Sequence, residues 1–292
     1  MATIGARVGF GLLAAIVAAI SLQASALELS AARGGQILAS NEAAIRAGGT
    51  PAARWQPSVT DTWQWQLRGK VNTTYNVDVY DIDLFDTDPG VIAQLKRDGR
   101  KVVCYFSAGS SENWRTDFSQ FKAWEKGRAM RGWEGENWLD VRSDNVRSIM
   151  KQRLDRAVAK GCDGVEPDNV DGYANDTGFP LSAQDQLAFN GFLAREAHAR
   201  NLAIGLKNDV NQLAALEPLF DFAVNEECHE QNECRGYRAF TSKNKPVLNA
   251  EYRASYRTEA GRRELCAAAL AANLRTLVLP RELDDSFRFS CD

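Results

Sequence analysis

Residues 144–168 read DNVRSIMKQRLDRAVAKGCDGVEPD, and this stretch decides the fold. Apolar side chains recur at helical spacing over residues 144–160, Gly161 supplies a helix stop, and residues 164–168 form a short apolar strand closing on acids. The same helix, stop and strand recur around KRDGR and ARNLAIG. Strand-like runs fall at residues 63–67, 77–84, 102–107, 164–168, 203–207, 222–226, 247–252 and 276–279. Helical patterns separate many of them, at residues 89–98, 144–160, 183–200, 210–219 and 258–272. Strands alternating with helices pair in parallel through right-handed crossovers. Eight such runs in about 240 residues predict an α/β fold, a single (β/α)8 TIM barrel, in preference to an open doubly wound sheet. No GxGxxG or P-loop argues for the open sheet.

Outside this region the chain is read differently. Arg7, an uncharged apolar run from Val8 and Ala24-Ser25-Ala26 have the order of a secretory signal peptide, cut near Ala26. An uncleaved membrane anchor is the competing reading. Residues 27–54, rich in Ala, Gly and Ser, read as a linker or arm, and residues 55–292 as the folded domain. The expected location is secreted or periplasmic, with no stable membrane association after cleavage.

The 292 residues carry a formal net charge of -3, with Lys and Arg scattered, so nucleic acid is not an expected partner. Six cysteines in an oxidising compartment predict disulfides in place of thiols or zinc. Cys228 and Cys234 bracket a short loop and are the simplest pair. Cys104 with Cys162 would join two predicted strands, and Cys266 with Cys291 would tie down the C-terminal tail.

In a barrel the chemistry sits at the C-terminal ends of the strands, and here those ends are acidic. Asp81 and Asp83 close the second run, Glu166, Asp168, Asn169 and Asp171 follow the fourth, Asn225, Glu226 and Glu227 the sixth, and Glu251 lies in the seventh. Lys207-Asn208 is the cationic exception, expected to pair with one of these acids. Asp81, Asp83, Asp86 and Asp88 with Gly90 miss the spacing of a calcium loop, and two histidines do not suggest zinc, so no metal or other cofactor is expected. Paired carboxylates fit glycoside hydrolysis, and Asp168 and Glu226 end apolar strands where they could flank a scissile bond. Asp83, Asp86, Asp88 and Glu227 read more simply as capping or solvated loop acids. All seven tryptophans lie in the first half. Trp63, Trp65 and Trp114 are candidate sugar-stacking residues, whereas Trp124, on a helical stretch, is expected in the core. His229 is expected to be exposed.

The motifs VCYFSAGSSENWR, GWEGENWLDVRS, KGCDGVEPDNVDGY, IGLKND and FAVNEECHEQNEC, in this order, resemble glycoside hydrolase family 114, the endo-α-1,4-polygalactosaminidases. The resemblance runs from about Trp63 to the C-terminus. It implies a (β/α)8 barrel that cleaves α-1,4-linked galactosamine polymers, with the paired acids falling on Asp168 and Glu226. It also implies that Tyr105, Ser107, Glu166, Asn169, Asp171, Lys207, Asn208 and Asn225 line the cleft, with Asp81 and Tyr252 as further candidates. A polymer of unacetylated galactosamine is a polycation, which an acidic rim would attract.

The sequence thus predicts a secreted, monomeric endo-glycosidase, with Asp168 as nucleophile and Glu226 as general acid/base if anomeric configuration is retained. Retention or inversion depends on a carboxylate separation of about 5 Å or about 6.5–9.5 Å. In an inverting enzyme Asp168 would activate water. A non-catalytic binder of cationic glycan on the same barrel is the rival from another class, and a metal-dependent hydrolase a third.

Overall fold

The computed structural model describes residues 53–292. The signal peptide and most of the predicted arm lie outside the described residues. Among the described residues no helix is long and apolar enough to cross a membrane.

Twelve strands are present among the described residues: β1 Trp63–Gln66, β2 Val79–Asp83, β3 Lys101–Ser107, β4 Ser110–Glu112, β5 Lys126–Ala129, β6 Glu136–Leu139, β7 Gly164–Asp168, β8 Ala203–Lys207, β9 Phe222–Glu226, β10 Val247–Glu251, β11 Arg275–Val278 and β12 Phe289–Ser290. The α-helices among the described residues are α1 Pro89–Arg97, α2 Asp144–Lys160, α3 Ala183–Ala199, α4 Leu213–Leu216, α5 Arg238–Thr241 and α6 Glu259–Ala271. The main sheet runs β1-β2-β3-β7-β8-β9-β10-β11-β12, and every pairing is parallel except β11 with β12. The eight parallel strands are the eight runs read from the sequence. Together they make an α/β fold on a curled parallel sheet, consistent with a TIM-like barrel.

The opening stretch folds for the reasons its sequence suggests. Ser143 caps α2 by accepting from the amides of Asn145 and Val146, and Gly161 ends the helix at φ 87°. The buried residues of α2, Val146, Ile149, Met150, Arg153, Leu154 and Ala157, follow the helical period. β7 then enters the sheet between β3 and β8.

Period-two alternation in the strands separates two cores. Tyr80, Ile82, Cys104, Phe106, Val165, Ile204, Leu206 and Ala223 face the helices. Trp63, Trp65, Val79, Val103, Ala203, Phe222, Val224, Leu248 and Ala250 form the other core, on the concave side. Continuing that second series by two residues in β2, β3, β9 and β10, and by four from Ala203 in β8, brings Asp81, Tyr105, Glu226, Tyr252 and Lys207 to the concave face, with Glu166 and Asp168 from β7 beside them.

At the seam the C-terminal segment bridges the first and last parallel strands. Trp63 Nε1 donates to the Arg275 carbonyl at 2.9 Å, and Arg288 beside β12 binds the Trp63 carbonyl at 2.9 Å and Gln64 Oε1 at 2.7 Å. Disulfides join Cys104 to Cys162, Cys228 to Cys234 and Cys266 to Cys291.

One feature corrects the sequence reading. The stretch after β3, where the sequence reading placed no strand, is a three-stranded antiparallel sheet in the order β4-β6-β5. Its strands have three or four residues and pair with one another over short separations such as Ser110 with Trp138, so no alternation long enough to recognise exists in the sequence. Buried arginines anchor this insertion. Arg115 binds Glu112, Asp83 and Asp86, while Arg153 of α2 binds Asp117 and the Ser107 carbonyl. Asp83 is therefore a buried partner of Arg115, and Asp88 caps α1 as expected.

Candidate active site

The strand ends converge on Lys207. Its side chain is 2% exposed, and its ammonium lies 3.0 Å from Glu166 Oε1, 3.3 Å from Asp168 Oδ1 and 3.2 Å from Glu226 Oε2. It also stands 4.7 Å from the ring centre of Trp65 and 5.8 Å from that of Tyr105. The surrounding carboxylates hold Lys207 firmly protonated against the opposing effect of burial. One cation thus organises acids from β7 and β9, more than the single partner expected.

Asp168 receives two further donors, the Tyr105 hydroxyl at 2.9 Å and the amide of Asn169 at 2.7 Å. Glu226 receives the Tyr252 hydroxyl on Oε1 at 2.5 Å. The amide of Glu226 is held by Asn208 Oδ1 at 3.0 Å. Residues just past the strand ends, Asn169, Asn208, Asp209 and Glu227, all take φ between 45° and 63°. Left-handed backbone away from glycine carries strain, which is concentrated here at the site. Gly109 allows the β3–β4 turn to press on Asn169, since a Cβ there would lie 1.7 Å from the Asn169 carbonyl oxygen.

Asp168, Glu226, Tyr105, Asn169, Asp171, Lys207, Asn208 and Trp65 border one cleft of about 610 Å³. Several sequence candidates sit elsewhere. Asp81 and Glu166 are fully buried; burial, and then the neighbouring Glu166 carboxylate, raises Asp81 well above the usual carboxylate range. Ser107 is buried, sharing hydrogen bonds with Ser110 and Asn169. Asn225 is fully buried and turns toward the helices, where it binds the Tyr237 hydroxyl at 2.6 Å, because neighbouring strand residues face opposite sides. Glu251 is likewise buried and accepts from the His229 amide at 2.8 Å. Tyr252 supports Glu226 without lining the cleft. Trp63 is core, Trp114 borders an adjoining depression, and Trp124 is 66% exposed in place of the expected burial. His229 is half-buried, not exposed.

The insertion contributes residues the sequence did not single out: Arg128, Arg131, Trp133, Glu136 and Trp138 line the cleft. Arg281 lines it as well, so the mouth is not uniformly acidic. Arg128 is paired with Asp176, and Arg281 with Glu227 at 3.2 Å. The GWEGENW motif was the available signal. Its glycines, Gly132 and Gly135, both at φ 87°, form the turns around Trp133.

The Aspergillus fumigatus protein Ega3, solved in complex with galactosamine, is 43% identical; the match covers 83% of this chain and 100% of that one, with a TM-score of 0.78. The glycoside hydrolase domain of PelA from Pseudomonas aeruginosa shares the fold at 13% identity and a TM-score of 0.63, over 78% of this chain and 98% of that domain. An uncharacterised protein of Deinococcus radiodurans is 25% identical over 234 residues, 69% of this chain and 75% of its own length. The model of glycoside hydrolase family GH114 matches residues 45–292, so the chain belongs to that family and is a glycoside hydrolase.

Proposed function

We propose that this protein is an exported endo-glycosidase that hydrolyses α-1,4-linked galactosamine polymers on a closed (β/α)8 barrel. The observation that carries the reading is the convergence of Asp168 and Glu226 on Lys207 at the bottom of a cleft. Oxygens 3.3 Å and 3.2 Å from one ammonium are at most about 6.5 Å apart. That bound fits the short separation of retaining glycosidases. Asp168, oriented by Tyr105, Asn169 and Lys207, attacks the anomeric carbon as the glycosidic bond breaks. Glu226 gives its proton to the leaving oxygen, then takes one from the water that displaces Asp168 from the sugar. Asp81 and Glu166, beneath the floor, set the charge around Lys207 without touching substrate.

The galactosamine reading is supported by the likeness to Ega3 and by two cleft acids, Asp171 and Glu136, that have no ion pair among the described residues. Three disulfides and the N-terminal sequence support export. The test is to incubate the protein from Leu27 onward with de-N-acetylated and acetylated α-1,4-galactosamine polymers and follow product size by mass spectrometry. Short oligomers from the deacetylated polymer, carrying the α-anomer first by NMR, are expected. Asp168→Asn and Glu226→Gln should lower cleavage by about three orders of magnitude or more while leaving polymer binding intact. Undiminished cleavage by either variant would remove that residue from the mechanism.

A further inference from the structure

Glu136 stands where the main cleft meets an adjoining depression of about 360 Å³; Tyr105, Trp133 and Arg281 border both. Its Oε2 accepts from Ser110 Oγ at 2.6 Å. Ser110 Oγ lies 2.6 Å from Ser107 Oγ, which accepts from Asn169 Nδ2 at 2.8 Å. This chain of hydrogen bonds fixes Glu136 relative to the residue that orients Asp168. Oε1 accepts from no described residue, and Glu136 has no ion pair among the described residues. Burial pushes its carboxyl up to about 7, against the opposing hydrogen bond from Ser110. A desolvated, half-satisfied carboxylate gains most from a cation brought by a ligand.

Trp133 supplies the complementary surface. It is 45% exposed on the cleft wall between two glycine turns. A hexosamine ring offers an apolar face for an indole and an ammonium at its edge for a carboxylate. Asp171, which also lines the cleft with no ion pair among the described residues, does not border the depression that Trp114 and Trp133 flank.

We propose that Trp133 and Glu136 form a subsite for one protonated amino-sugar unit, beside the bond flanked by Asp168 and Glu226, where Glu136 selects a free ammonium over an acetamide. The proposal rests on the galactosamine reading above and names the residue that enforces it. An uncharged acetamide cannot form the ion pair and brings extra volume to a site fixed by the serine chain.

The experiment measures binding of a galactosamine tetramer and its N-acetylated counterpart to Asp168→Asn, which prevents turnover, and to the same protein with Glu136→Gln. Loss of one charge-assisted contact is expected to weaken the deacetylated tetramer roughly 10- to 100-fold and leave the acetylated one within about threefold. Trp133→Ala should weaken both alike, because stacking is indifferent to the amine. Equal weakening of both ligands by Glu136→Gln in a protein with unchanged melting, or no weakening of either, overturns the proposal. If Glu136→Gln does not fold, Glu136→Asp decides, since withdrawing the charge by one methylene must still weaken the deacetylated ligand selectively. Cleavage by the unmodified protein is run alongside. Selective binding without any cleavage would strike the hydrolase reading and leave this subsite standing.

Discussion

Tyr252 and Glu226 share a hydrogen bond of 2.5 Å, with the phenol donating to Oε1 while Lys207 holds the other oxygen. Tyr252 directly follows β10 and Glu226 ends β9, so the contact crosses between adjacent strand ends. Burial and the neighbouring carboxylate raise the phenol well above its ordinary pKa, which keeps it a donor at every working pH. Tyr252→Phe removes this donor and leaves the ring. We expect kcat to fall roughly 10- to 100-fold, in the range of removing one preorganised donor, with melting within a few degrees. Steady-state kinetics and thermal unfolding check it.

Lys207→Met should be severe for stability as well as activity. It leaves Glu166, Asp168 and Glu226 without their common cation. Breaking a buried ion pair costs about 3–5 kcal/mol, on the order of 10 °C in a domain of this size. The loss should be larger at pH 8 than at pH 5, because protonation relieves the uncompensated acids. Thermal unfolding at the two values measures this.

Asp209 gives a pH dependence of opposite sign from that of an ordinary salt-bridged acid. Burial pushes it up to about 8; Oδ2 accepts from Asn190 at 3.0 Å, and Oδ1 is buried without a partner. The folded state therefore holds a proton that the unfolded state releases above about pH 4. Stability falls between pH 4 and 8 by about 1.4 kcal/mol per pH unit from this group, then levels off. Asp209→Asn should flatten that slope and raise melting at pH 8 relative to the unmodified protein, as unfolding curves across this range would record.

The Cys266–Cys291 disulfide fastens the segment that spans the seam. Replacing both cysteines with serine should cost about 2–4 kcal/mol. It should also lower kcat, because Arg288 and β12 brace β1, whose Trp65 borders the cleft. Denaturant unfolding and kinetics of the double variant test the two effects separately.

Much of this molecule is local physics and was readable in order along the chain. Helix stops such as Gly161 and short apolar runs between helical patterns located the eight parallel strands. The Cys228–Cys234 pair was readable from its short loop, while Cys104–Cys162 and Cys266–Cys291 were open choices that the tertiary structure decided. The group of Glu166, Asp168 and Glu226 around Lys207 was visible only as separate strand endings, since which oxygen meets the ammonium depends on the register and curl of the sheet. Asn225 shows the limit of reading strand ends without their facing: one residue before Glu226, it points to the opposite core. Trp133 and Glu136 reach the cleft through a small sheet whose strands are too short to leave a pattern. Burial then gives Glu136 an environment that no count of acids could supply. The sequence by itself determined the strand order and the chemical types at each strand end. Only the tertiary structure decided the distances among them, because those arise from pairings between residues tens to hundreds of positions apart.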